Sequence, residues 1–277
     1  MASIVGGFIL PHDPLLFAMP DAAPASKRDA VMAAFDRIRD RIGTLGADVA
    51  IIVGADHYIL FGPGCLPSML IGIGEVDGPI ERFPGIAQGP IAGHPALAQH
   101  ILATGVASGF DWAVAKVLTV DHSVGIPARL CVLPNAGTTV IPVYLASGVT
   151  PYIRPQRAFD LGQNIAHAVE SWPGNERVVL IGSGGISHWV GMPQMGRVNE
   201  AFDQMVLDCV TRGDAKTLID LTDDYVVEHG GNGALEIRHF LCVMGALPGC
   251  LGEILAYEAV PEWITGLGFA EIKAAAA

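Results

Sequence analysis

The apolar positions of the chain keep two different rhythms in turn. Over residues 26–45 they recur at Val31, Ala34, Phe35, Ile38, Ile42 and Leu45, the spacing of one face of an amphipathic helix, and Ser26 followed by Asp29 reads as its capping signal. Helical spacing also covers roughly residues 95–103, 155–172, 197–211, 215–221 and 233–247. Between these stretches lie short, β-branched apolar runs at 4–10, 49–53, 68–73, 114–120, 139–145 and 178–181. Strands alternating with helices predict an α/β fold, with a central parallel or mixed sheet flanked by helices. No repeat, low-complexity linker or charge block divides the chain. One domain over residues 1–273 is therefore expected, with residues 274–277 a disordered alanine tail.

Composition agrees with a large core: of 277 residues, 51% are hydrophobic and 16% charged, with 34 Gly and 19 Pro as punctuation. A formal net charge of -12 and the lack of any basic run argue against nucleic acid as a partner. The five cysteines are an odd number with no C-x-x-C pair, which suits reduced thiols better than a disulfide or zinc framework. The uncharged run 130–153 is broken by Pro134, Asn135, Gly137, Pro142 and Gly148, so no membrane-spanning helix is expected there. Residues 4–10 follow no basic segment and are too short for an export signal, which makes the cytoplasm the expected location.

The placement of the nine histidines carries the chemical information. His12, His57, His122 and His188 each follow closely on the exit of an apolar strand, where open α/β sheets gather their ligands. Four imidazoles delivered to that edge would meet in one pocket. His94 opens a helix, His100, His167 and His239 sit within helical patterns, and His229 lies near a helix end, so solvated or capping roles are expected for these five.

Two neutral imidazoles and one acid on one face of an ion, with other positions open, is the arrangement of non-haem Fe(II) oxygenases. Glu236, at the start of an apolar helix after Gly230-Gly231-Asn232-Gly233, is a candidate for the acid, since a carboxylate among Leu235, Ile237 and Phe240 needs a strong partner. It also suits a first-turn Glu favoured by the helix dipole, and Glu236 with His239 has E-x-x-H spacing. Two patterns fail. Gly182-Ser183-Gly184-Gly185 lacks the G-x-G-x-x-G spacing of a dinucleotide loop, and it is not the G-x-S-x-G of a nucleophile elbow.

Pro11-His12-Asp13-Pro14, Asp56-His57, Asp121-His122-Ser123-Val124-Gly125-Ile126-Pro127, Gly182-Ser183-Gly184-Gly185-Ile186-Ser187-His188 and the Glu236 helix follow one another over nearly the whole chain. In this the chain resembles the class III extradiol ring-cleaving dioxygenases, the family of the protocatechuate 4,5-dioxygenase catalytic subunit. The resemblance implies Fe(II) held by His12, His57 and Glu236, with His188 as the acid/base histidine and His122 in contact with the substrate hydroxyl or the oxygen. Thr265-Gly266 resembles a stretch that borders the substrate in relatives. The implied reaction inserts both atoms of O2 beside the diol of a catechol, or into an aminophenol or dihydroxypyridine ring, and yields a semialdehyde-type product. A homo-oligomer is expected, and some relatives also need a small helical partner chain. Arg129, Arg154 and Arg238 are candidates to meet a substrate carboxylate. The same three ligands would also suit a zinc-dependent hydrolase with His188 as base, and the fold occurs in non-catalytic binding relatives as well.

Overall fold

The computed structural model describes residues 1–62, 64–148 and 150–274. Three of the four alanines of the expected tail, 275–277, lie outside them. Among the described residues one mixed sheet contains nine strands. In chain order they are β1 (Ser3–Leu10), β2 (Val49–Gly54), β3 (Met69–Asp77), β4 (Pro90–Ile91), β5 (Ala113–Thr119), β6 (Thr139–Leu145), β7 (Arg177–Ser183), β8 (Gly252–Val260) and β9 (Thr265–Lys273). The middle of the sheet, β6-β2-β7-β1, is wholly parallel. β9 runs antiparallel to β1 and carries β8 on its far side. At the other edge β3 runs antiparallel to β6 and pairs with both β4 and β5.

Alternate residues of the central strands point to opposite faces, and both faces are covered. Ile9, Ile51, Val53 and Leu180 enter one core with the helices Pro155–Ser171 and Ile237–Ala246, while Phe8, Leu10, Ile52 and Ile181 enter the other with the helix Ala25–Thr44. Every residue of Ile237–Ala246 is buried. Two glycines let it cross Pro155–Ser171 at backbone distance. A Cβ on Gly162 would stand 1.9 Å from the Cys242 carbonyl oxygen, and one on Gly245 would stand 2.0 Å from that of Phe159. Burying Phe240 on this helix contributes roughly 1.5–3 kcal/mol, and the packing fixes where Glu236, at its N-terminus, must lie.

Several local expectations change. The helix expected from Ser26 begins at Ala25 after Pro24, without a side-chain cap, because Pro24 already supplies the break and Ser26 lies inside the first turn. The helix expected from Arg197 begins at Glu200, capped by Asn199, whose side chain accepts from the Phe202 N–H. Residues 233–236 form a 3-10 turn, so Glu236 stands at the junction with the helix proper. β8 and β9 were not expected at all. In β9 the apolar alternation is interrupted by Gly266 and Gly268, which are needed because a Cβ at 266 would meet Asp203 Oδ2 at 1.9 Å and one at 268 would meet Ile186 at 2.5 Å.

Candidate active site

His12, His57 and His188 follow the ends of β1, β2 and β7, three adjacent parallel strands, as strand-end placement predicts. His122 arrives differently. β5 is parallel to β3 and so runs against the central strands. The short helix His122–Pro127 then packs across β2, where Ser123 fills the space left by Gly54. β9 is antiparallel to β1, so its first residue, Thr265, comes to the same edge.

The four rings share one mode of attachment. Each uses Nδ1 to hold the protein: His12 on Ser183 Oγ at 2.8 Å, His57 on Asp121 Oδ2 at 2.8 Å, His122 on Glu81 Oε1 at 2.6 Å and His188 on the Ile186 carbonyl at 3.3 Å. Nε2 is left as the ring nitrogen free for the site in all four. The ring centroids of His12 and His57 lie 5.0 Å apart and those of His57 and His122 lie 4.1 Å apart. Ring nitrogens of His12, His57 and His122 fall within 4.8 Å of one another.

Glu236 Oε1 is 3.3 Å from the Nε2 of both His12 and His57. That is longer than the roughly 2.7–2.9 Å of a charge-assisted hydrogen bond. It matches the spacing of two ligands that each stand about 2.1 Å from a shared ion. The second oxygen, Oε2, accepts from the Gly185 N–H at 3.1 Å and lies 3.9 Å from His188 Nε2. The donor chemistry and spacing of these three groups therefore fit a divalent first-row metal. His239 does not join them. It is buried, with Nδ1 on the Ser183 carbonyl at 2.6 Å and Nε2 beside Ser147 Oγ at 3.2 Å. The solvated role expected for it is thus corrected, because its helix turned out to be the central, wholly buried one.

Charges divide unevenly across the cluster. Burial lowers the pKa of His12 despite Glu236 nearby, and burial likewise lowers that of His188. Burial also acts to lower His57, but its hydrogen bonds with Asp121 and Glu236 outweigh this and push it up to about 10. For Glu236 burial acts upward, and the charge and hydrogen bond of His12, the hydrogen bond of His57 and the charge of His188 overcome it and hold the carboxyl well below its ordinary range.

Beside the cluster is a cavity of about 290 Å³, walled by the four histidines together with Asp13, Pro14, Leu15, Val190, Ile264 and Thr265. Burial raises the Asp13 carboxyl to about 7. Gly266 lies behind Thr265, its N–H and C=O bound to Ser187 and Ile186. Gly233 is required because a Cβ there would stand 2.1 Å from His188 Nε2. Arg129 donates to the carbonyls of Gly78 and Pro90, Arg238 is buried against Asp223 and the Ile153 carbonyl, and Arg154 is exposed. None of these candidate arginines lines the cavity. The groups that sequence reasoning missed are the holders, Ser183, Glu81 and Asp121. Asp121 and Ser183 both lie inside motifs, Asp121-His122 and Gly182-Ser183-Gly184-Gly185, whereas Glu81 left no signal.

Residues 6–268 match the family profile described as the catalytic LigB subunit of aromatic ring-opening dioxygenase. The chain belongs to that family and is an extradiol ring-cleavage dioxygenase. It is 29% identical to the 2,3-dihydroxyphenylpropionate/2,3-dihydroxicinnamic acid 1,2-dioxygenase of Burkholderia vietnamiensis, over 90% of this chain and 91% of the relative. It is 30% identical to the protein of the same name from Rhodococcus globerulus, over 71% of this chain and 60% of that one. Among solved structures, the uncharacterized protein JW3007 of Escherichia coli K12 superposes with a TM-score of 0.60 at 15% identity, covering 97% of this chain and 99% of the other, a likeness of fold. Among the described residues no helix is long and apolar enough to cross a membrane.

Proposed function

We propose that the chain binds Fe(II) through His12, His57 and Glu236 and opens the ring of a catechol-type substrate, or of an aminophenol or dihydroxypyridine, beside its paired heteroatoms. The observation that carries this reading is the position of Glu236 Oε1, equidistant at 3.3 Å from two Nε2 atoms whose rings are fixed from behind. Held by His12, His57 and Glu236, the iron would supply Lewis acidity and electron transfer between diol and dioxygen.

The remaining work falls to the protein. Pro14, Leu15, Val190 and Ile264 offer the ring an apolar wall and exclude water. His188, whose pKa burial lowers, accepts a hydroxyl proton at Nε2 and returns it later in the reaction. His122 meets the substrate from the side of His57. Glu236 Oε2, 3.9 Å from His188 Nε2, favours the protonated ring while it lasts.

The reading is tested by anaerobic purification, reconstitution with Fe(II) or with Zn(II), and oxygen-electrode assays on a panel of catechols and aminophenols. Oxygen uptake with a coloured ring-fission product in the Fe(II) protein alone is expected. Ester hydrolysis restored by Zn(II), with no oxygen uptake in either form, would instead support the hydrolase.

A further inference from the structure

The connection between β3 and β4, residues 78–89, brings an acid to the site from a part of the chain that none of the motifs includes. It is pinned at several points independent of that acid. Gly78 N–H donates to the Gly89 carbonyl at 3.0 Å, Ile80 N–H to that of Val120 at 2.9 Å, Gln88 Nε2 to that of Pro79 at 3.0 Å, and Arg129 to that of Gly78 at 2.8 Å. From this anchored segment Phe83 stands edge-on to the His122 ring, at 6.3 Å and 89°. Glu81 reaches the same ring, with Oε1 2.6 Å from Nδ1.

The contact is the length of a charge-assisted hydrogen bond. Both partners are largely withdrawn from water, with side chains 20% and 9% exposed for Glu81 and His122. The second carboxylate oxygen, Oε2, is buried with no hydrogen-bond partner among the described residues. A carboxylate largely withdrawn from water and left half unpartnered is costly, and among the described residues the pairing with His122 is the side-chain hydrogen bond that compensates it. With Nδ1 donating to Glu81, a neutral His122 must carry its lone pair on Nε2, the nitrogen left for the cavity that this residue lines.

We propose that Glu81 is a positioning residue for ring opening. It holds His122 with the proton on Nδ1, so that the Nε2 lone pair faces the cavity and accepts a hydrogen bond from a substrate hydroxyl. Two acids then serve two adjacent rings in parallel, Asp121 for the metal-facing His57 and Glu81 for the substrate-facing His122. This inference rests on the proposed dioxygenase reading.

The test compares wild type with Glu81→Gln, Glu81→Ala and His122→Ala, each as the full chain. Proton NMR of the metal-free proteins should show one far-downfield imidazole N–H resonance in wild type that is missing from both Glu81→Ala and His122→Ala. With Fe(II) restored and catechol as substrate, kcat should fall about tenfold in Glu81→Gln and about a hundredfold in Glu81→Ala, while metal content and KM stay within about twofold of wild type. Glu81→Gln keeps the shape and an acceptor, so it guards against an alanine variant that fails to fold. The proposal is overturned if the resonance survives in Glu81→Ala, or if Glu81→Gln turns over like wild type. It is also overturned if KM and metal content fall with kcat, which would make Glu81 a structural anchor. A wild-type protein that opens no ring defeats the dioxygenase reading and with it this role, and the resonance then reports separately whether the Glu81–His122 bond exists.

Discussion

One oxygen of Asp121 holds His57 at two points, accepting from the ring Nδ1 at 2.8 Å and from the backbone N–H at 3.1 Å. Its other oxygen accepts from the Ser123 hydroxyl at 2.7 Å and the Tyr144 hydroxyl at 3.0 Å, so the carboxylate is fully engaged although wholly buried. Asp121 therefore sets both the direction of the His57 ring and its basicity. Asp121→Asn should weaken Fe(II) binding by about 10- to 100-fold, read by competition with a chelator. Unchanged affinity would mean that His57 needs no such holder.

Glu236 and His188 are 3.9 Å apart and should behave as different kinds of residue. Glu236→Ala is expected to lose bound iron. His188→Ala is expected to keep iron near the wild-type level and to lose about 10²–10⁴-fold in kcat, the usual worth of an acid/base group. Metal analysis beside steady-state kinetics separates the two. Iron lost from His188→Ala would make that residue a ligand, and full occupancy in Glu236→Ala would point to another acid.

The residues that make this site were unevenly legible in the sequence. Strand-end placement brought His12, His57 and His188 together because β1, β2 and β7 are adjacent and parallel, which is what continuous apolar runs predict. For His122 the outcome agreed but the route did not, since β5 runs the other way and a crossing helix supplies the approach. Glu236 could not be told from a helix-dipole glutamate by spacing, because the difference lies in a 3-10 turn and in what stands opposite. Glu81 was invisible, as its partner is 41 residues away and its segment has no periodicity. β9 was missed because its glycines answer to Asp203 and Ile186, distant residues that no local pattern contains.

Asp203, fully buried below the Ser187-His188 segment, accepts from the Ser187 N–H at 2.8 Å, the Ser187 hydroxyl at 2.9 Å and the Tyr257 hydroxyl at 2.7 Å. Burial raises its carboxyl from 3.8 to about 6, against those hydrogen bonds, which pull it down. Between these two values the folded protein holds a proton that the unfolded chain has released, so this group's contribution to stability is present at low pH and is lost as pH rises through the window. By linkage the loss is on the order of 3 kcal/mol. Urea unfolding in steps across this range should show the difference between wild type and Asp203→Asn changing with that sign. Parallel stability curves would contradict it.

Among the described residues the cavity wall contains an acid, Asp13, and no Lys or Arg. Thr265 gives its hydroxyl proton to the Trp263 carbonyl at 2.9 Å, and Asp13 Oδ2 has no hydrogen-bond partner among the described residues. A substrate carboxylate would meet like charge there. In assays at about pH 8, above the Asp13 value, the methyl ester of 2,3-dihydroxyphenylpropionate should exceed the free acid in kcat/KM by about tenfold. Asp13→Asn should narrow that ratio. A preference for the acid in wild type, unchanged in the variant, would contradict this reading of the wall.

The central claim, iron-dependent insertion of dioxygen into an aromatic ring, is tested most directly by isotope labelling. The protein is loaded anaerobically with Fe(II), given a catechol and exposed to ¹⁸O₂, and the ring-opened product is trapped and weighed by mass spectrometry. Incorporation of label into the ring-fission product, dependent on Fe(II) and absent from Glu236→Ala, is the predicted result. A product that takes its oxygen only from water, or that forms equally well without oxygen, would contradict it.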